Sequence, residues 1–155
     1  MALALGLVGC SKDPAREEAL RVERDQAQLK EIALADAKAE HTLHDVGEAE
    51  KAGKDDEAAS LLEGSVLPAT DGAIALARSK TLESAWGRDR QADMLAAMTA
   101  RREELPRYVV ALRAHDMEAE LASVQKQLEI ERRAMAAAQA IADGPSAPDG
   151  GAKAP

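Results

Sequence analysis

Met117-Glu-Ala-Glu-Leu121-Ala-Ser-Val124-Gln-Lys-Gln-Leu128-Glu-Ile-Glu131-Arg-Arg-Ala-Met135-Ala-Ala-Ala138-Gln-Ala-Ile-Ala142 is the stretch that decides the fold class. Met117, Leu121, Val124, Leu128, Met135, Ala138 and Ala142 recur at alternating spacings of four and three, with Glu131 the one misfit. Heptad spacing of this kind predicts a long amphipathic helix with an apolar seam. Such a seam packs either inside a bundle or against another copy. Asp143-Gly144-Pro145 is a stop signal. Residues 144 to 155 are Gly, Pro, Ala, Ser, Asp and Lys, which predicts a disordered C-terminal tail.

The rest of the composition agrees with helix. The chain of 155 residues has no Phe, one Trp and one Tyr. Ala, Leu, Glu, Arg, Lys and Gln are strong helix formers and are abundant, whereas the β-branched and aromatic residues that a sheet needs are sparse. With few large side chains, the core is expected to be a thin Ala/Leu/Met seam between close helices. Its stability is expected to be modest, because a buried Ala removes little apolar area from water.

Upstream, Asp13-Pro14 reads as a cap and a first helical residue. A first helix follows to about Ala52, with Val22, Leu29, Ile32, Ala39, Leu43 and Val46 on one face and Asp25 and Asp36 interrupting it. Ala52-Gly53-Lys54 is a turn, and a second helix starts near Asp56. Pro68 should kink or divide it. A third helix is expected from Ser84, carrying Trp86, Leu95, Met98, Leu105, Val109 and Leu112, with a bend at Pro106. Ala114-His115-Asp116 reads as a tight turn, although the spacing of Val110, Ala114 and Met117 would also suit a continuous helix. Long helices joined by short turns give an all-α antiparallel bundle, here of four helices over residues 14 to 143. An elongated hairpin or coiled coil is the competing arrangement.

The N-terminus carries the most specific motif. Residues 1 to 9 are apolar or Gly, and they end in Leu7-Val8-Gly9-Cys10, after which the chain turns abruptly charged at Ser11-Lys12-Asp13. This resembles the lipobox of a bacterial lipoprotein: an apolar residue three before the cysteine, small residues beside it, and a cysteine that takes the lipid. Cys10 is the only cysteine, so it has no intrachain partner. The preceding segment reads as the end of a truncated signal peptide. It departs from the pattern in lacking a basic n-region, so the start is expected to lie further upstream. At nine residues it is too short to span a bilayer, which takes about 20. The resemblance implies that Cys10 is lipidated and that the domain is anchored to a membrane of the cell envelope. Ser11, in the position after the cysteine, implies sorting to the outer membrane, facing the periplasm. Residues 10 to 13 would then be the whole linker, and Ser11-Lys12 extended reaches no more than ~10 Å, so the domain would lie close to the bilayer.

Charge narrows the partners. The net charge is −8, and no long basic run occurs. Nucleic acid is not an expected partner, because its recognition demands clustered Lys and Arg. The expected partners are the membrane, through the N-terminal lipid, and an envelope protein or another copy of the chain.

Candidate chemistry is thin. His41 and His44 lie three apart beside Glu40 and Asp45, a weak metal-ligand pattern that reads better as a solvated helix face. Met94 and Met98, with His115, could offer soft ligands to copper, but methionine at helical spacing usually fills core. Trp86 could cap the bundle or anchor a partner. No nucleophile elbow, phosphate loop or His-Glu-x-x-His is present, so neither catalysis nor a cofactor is expected. The expectation is a lipid-anchored helical protein with a structural or interaction role. A helical bundle that binds a metal or small ligand is the alternative.

Overall fold

Asp13 and Pro14 start the first helix as their chemistry requires: the Asp13 carboxylate accepts from the Ala15 N–H at 3.1 Å, and Pro14 occupies the first helical position. The structure is a computed structural model and describes residues 13–145. Helix α1 (Pro14–Lys51) runs through Gly47 without interruption. It ends where Gly53, at φ +69°, lets the Lys54 N–H turn back to the Ala49 carbonyl at 3.0 Å.

Helix α2 (Asp55–Leu61) passes through one π turn, Leu62–Val66, into α3 (Leu67–Ser79). The junction residues Leu61, Leu62, Val66 and Leu67 all stay in the right-handed helical region, so α2 and α3 form one rod. Pro68 explains the wide turn. It has no N–H, and its ring crowds the preceding turn. The widened segment, in which the Leu67 N–H reaches back five residues to Leu62, makes room for it.

Helix α4 (Ala85–Ala114) is capped by Ser84, whose hydroxyl accepts from the Gly87 N–H at 2.9 Å, and it continues through Pro106. The turn to α5 (Met117–Asp143) is real: His115 adopts the left-handed conformation at φ 50°, and the Asp116 carboxylate caps α5 by accepting from the Ala119 N–H. Gly144, at φ +73°, follows α5. Most of the tail expected over residues 144 to 155 lies outside the described residues, as does Cys10 with the segment before it.

Cross-contacts fix the topology. Glu31 meets Lys80, and Asp71 meets Arg102, so the α2–α3 rod runs antiparallel to α1 and to α4. Asp25 meets Ser84, Asp36 meets Arg101 and Glu50 meets Tyr108, so α1 and α4 run parallel. Glu104 meets Ser123, which with the tight turn makes α5 antiparallel to α4. The four rods thus form an up-down-up-down bundle. Its closure is uneven: α5 lies along α4 but touches α1 only lightly.

The core has two parts. One gathers Val46, Ala58, Leu62, Val66, Leu105 and Leu112, the other Leu29, Ile32, Ala73, Met98 and Ile141. A polar layer separates them at one level on three helices. Asp36 falls between Ile32 and Ala39, Thr70 between Val66 and Ala73, and Arg101 between Met98 and Leu105, and all three are buried. The Thr70 hydroxyl has no partner. A buried hydroxyl without a hydrogen bond costs stability. Thr70→Val is therefore expected to raise stability by about 1 kcal/mol, read as a higher midpoint of urea unfolding at unchanged slope. A fall in the midpoint would show that the hydroxyl is satisfied in solution.

The structure removes one of the two placements open for the apolar seam of α5. The heptad positions of α5 do not form its buried seam. Met117 is 80% exposed, Leu121 and Met135 59% and Leu128 47%. The buried positions are Ser123, Gln127, Ile130, Ala134, Ala137 and Ile141, which also alternate by four and three but lie about a third of a turn round the helix. The reason is closeness. Small residues let α5 lie near α4, and the larger apolar residues, next to that face, are left on the side toward α1. Trp86 is half-buried and packs against the second core cluster.

Candidate functional site

The site is built on what the uneven closure leaves open. Between α1 and α5 three cavities of about 60, 260 and 140 Å³ share lining residues, Glu40, Leu43, Glu131 and Met135, and so form one furrow. Helix α1 supplies Asp36, Glu40, Leu43, His44 and Glu50 along one wall. Helix α5 supplies Val124, Gln127, Leu128, Glu131 and Met135 along the other, and α4 contributes Met94, Ala97 and Tyr108 to the floor.

Beneath the furrow lies an ion-paired layer. Arg101, fully buried, donates through Nη1 to Asp36 Oδ1 at 2.5 Å and through Nη2 to Glu40 Oε1 at 3.3 Å. Its Nε has no partner. Burial pushes the Glu40 carboxyl above its ordinary range and the neighbouring Asp36 adds to this; Arg101 opposes them and Glu131 adds a further rise. The furrow therefore holds more negative charge than the single buried guanidinium balances.

At the end nearer the α4–α5 turn, the Tyr108 hydroxyl donates to Glu50 Oε1 at 2.5 Å. Burial first, and then that carboxylate, raise the phenol well above its usual value, so it stays a donor at any working pH. Gln127 sits beside them, only 5% exposed. Neither its amide nitrogen nor its amide oxygen has a hydrogen-bond partner. Glu131, one turn further on, is half-buried and has no ion pair among the described residues.

A second polar cluster positions α4. The Asp25 carboxylate, on the buried face of α1, accepts from the Glu83 N–H at 3.0 Å, the Ser84 N–H at 2.7 Å and the Ser84 hydroxyl at 2.6 Å. Arg88 and Gln91 hold the carbonyls of the same connection, Gln91 reaching Ala77 at 2.6 Å and Lys80 at 3.0 Å. This is a structural clamp on residues 80 to 84. Burial pushes the Asp25 carboxyl up, but the Ser84 hydroxyl and the two N–H groups outweigh it and hold it below its ordinary value. A depressed carboxyl contributes stability that is full above the unfolded pKa, about 3.9, and is lost as pH falls through the lower folded value. The stability gap between the wild type and Asp25→Asn is therefore expected to be constant near neutrality and to narrow below pH ~4. Urea unfolding at a series of pH values measures it, and a constant gap down to strong acid would contradict the reading.

The residues singled out from sequence fare differently. His44 stands on the rim of the furrow with Glu131 and Met135, while His41 is exposed and does not line it. Among the described residues no group of three His, Cys, Asp or Glu could hold a metal. Met94 and Met98 are core residues, and His115 is not brought to them; from the α4–α5 turn it pairs with Asp55, at the start of α2, at 2.8 Å. Arg101, Gln127 and Tyr108 were not signalled by any motif. His44, Leu128, Glu131 and Met135 were visible in the sequence one by one, Glu131 as a charge standing in an apolar series, but nothing there joined them into a furrow.

Among the described residues no helix is long and apolar enough to cross a membrane. Comparison with protein-family models, with curated proteins and with solved structures finds no match, so the furrow and the N-terminal motif carry the functional reading.

Proposed function

We propose that the protein is a lipid-anchored helical lipoprotein of the bacterial cell envelope, held to the outer membrane on its periplasmic side, with a structural or protein-interaction role and no catalysis. The observation that carries this is Leu7-Val8-Gly9-Cys10 followed at once by the charged Lys12-Asp13. One acyl chain binds a membrane marginally and several anchor it stably, so a multiply acylated Cys10 would suffice without a spanning helix. Asp13 already caps α1, which leaves Ser11 and Lys12 as the only tether and supports a role close to the bilayer.

The interaction role rests on the furrow. It has apolar walls and unpartnered polar groups, and its cavities, about 60, 140 and 260 Å³, each fall below the ~300–1,000 Å³ of a usual small-molecule site. Spaced along the two helices, they suit side chains of a partner, one to each cavity, better than a single free ligand. Metal or small-ligand binding is accordingly the second reading, supported by His44 on the furrow rim.

Intact mass of the chain purified from membranes of an expressing bacterium, given a complete signal segment upstream, tests the anchor. The expected mass lacks residues 1 to 9 and carries acyl groups, and Cys10→Ala abolishes both changes. An unmodified soluble chain under those conditions overturns the lipoprotein reading and makes the protein an unanchored helical adaptor.

A further inference from the structure

We infer that the α1–α5 furrow is the docking site for one amphipathic helix of a partner protein, with an apolar face and a Lys or Arg placed to meet Glu131. This rests on the interaction role above and names the partner's chemistry. Three observations carry it. First, three sides of the bundle are packed and the fourth is open, with Leu128 and Met135 exposed along it. A helix laid there would bury those side chains and also touch α1. Second, Gln127 lines the wall of the furrow, yet both its amide atoms are buried and have no partner among the described residues. Such a group costs stability, and a turn of its side chain toward the cavity would let an entering polar side chain supply its hydrogen bonds. Third, the charges are one-sided. Glu131 stands unpaired within the apolar stripe, with Glu40 across the furrow. A single charge in an apolar seam selects its partner: an opposite charge is accepted and a like charge refused.

A second copy fits worse. Pairing two α5 stripes antiparallel about their midpoint would bring the two Glu131 carboxylates together.

The test uses the full chain and a fluorescently labelled three-heptad peptide, with Leu at the seam positions and Lys on the flanks. A reference peptide has Glu for every Lys. Fluorescence anisotropy is expected to show binding of the Lys peptide only, weakened at least tenfold by Glu131→Lys and by Leu128→Lys. Glu103→Lys, on an exposed face of α4 outside the furrow, makes the same charge change and is expected to bind within about twofold of the wild type. Glu103 is exposed and Leu128 and Glu131 line the open furrow, and thermal melts check that the variants fold. Equal weakening by Glu103→Lys would show that net charge alone attracts the peptide and would overturn the site. So would absence of binding, or sedimentation showing a dimer that Leu128→Lys dissolves. None of these outcomes touches the mass of Cys10, so failure of the furrow and failure of the anchor are separable.

Discussion

Arg101→Met is expected to destabilise the domain by about 3–5 kcal/mol, a large share of the ~5–15 kcal/mol a domain of this kind holds. The guanidinium is fully buried and is the cation that holds Asp36, itself only 6% exposed. Removing it leaves a nearly buried carboxylate at the base of the furrow, with no other donor bonded to it among the described residues. Coulomb attraction to a partner normally offsets the cost of burying such a charge; without the partner the full cost appears. Glu40 suffers less, because its side chain is 38% exposed and can turn to solvent in the furrow. Arg101→Met/Asp36→Leu is expected to recover most of the loss, since an apolar pair of similar volume needs no compensation. Urea unfolding of both variants decides the matter. A double variant no more stable than Arg101→Met would mean that the loss came from packing around the arginine stem and not from the stranded charge.

Gly87→Ala is expected to cost about 2–4 kcal/mol although it adds one methyl group. Alanine is normally favoured over glycine in a helix by up to ~1 kcal/mol, so the expected sign is opposite to propensity. The cause is the approach of α1. A Cβ at position 87 would stand 2.3 Å from Asp25 Oδ2 and 2.8 Å from Asp25 Cγ. The carboxylate cannot give way cheaply, because its three hydrogen bonds to Glu83 and Ser84 fix it and position the cap of α4. Either those bonds break or α4 moves off α1. In a double-mutant cycle, Asp25→Ala/Gly87→Ala is expected to lose clearly less than the sum of the two single losses, because the alanine at 25 removes Oδ2 and Cγ and leaves only its own Cβ, 2.8 Å from the new methyl group. Additive losses would show that the strain at 87 lies elsewhere.

Both positions show where sequence reading stops. Asp25 and Asp36 stand out in the sequence as interruptions of an apolar face. In the fold each is buried and answered by a group more than 50 residues away, Ser84 and Arg101. Local spacing records that a charge breaks the pattern; it carries no information on the distant donor that makes the burial tolerable. The candidate site was legible to the same extent. Glu131 showed as a misfit and Leu128 as an apolar residue, but nothing in their spacing places Gln127 in a cavity or Arg101 beneath Glu40.

By itself the sequence determined the features that are local. Asp13-Pro14, Ser84 and Gly53 set where helices begin and end, because capping chemistry acts over three or four residues; at 114–116 the spacing suited a turn and a continuous helix alike, and the fold chose the turn. Helix propensity and the want of aromatic and β-branched residues settled the all-α class. Only the tertiary structure decided which face of each helix is buried. Helix α5 offers two series at the same spacing, one with Met117, Leu121, Leu128 and Met135, the other Ser123, Gln127, Ile130, Ala134, Ala137 and Ile141, and periodicity ranks the more uniformly apolar one above the other. The bundle buries the second against α4, where Ser123, Ala134 and Ala137 let the backbones approach while Ile130 and Ile141 are buried as core, and it leaves the first beside the furrow. The choice depends on the shape of α4, which no stretch of α5 contains.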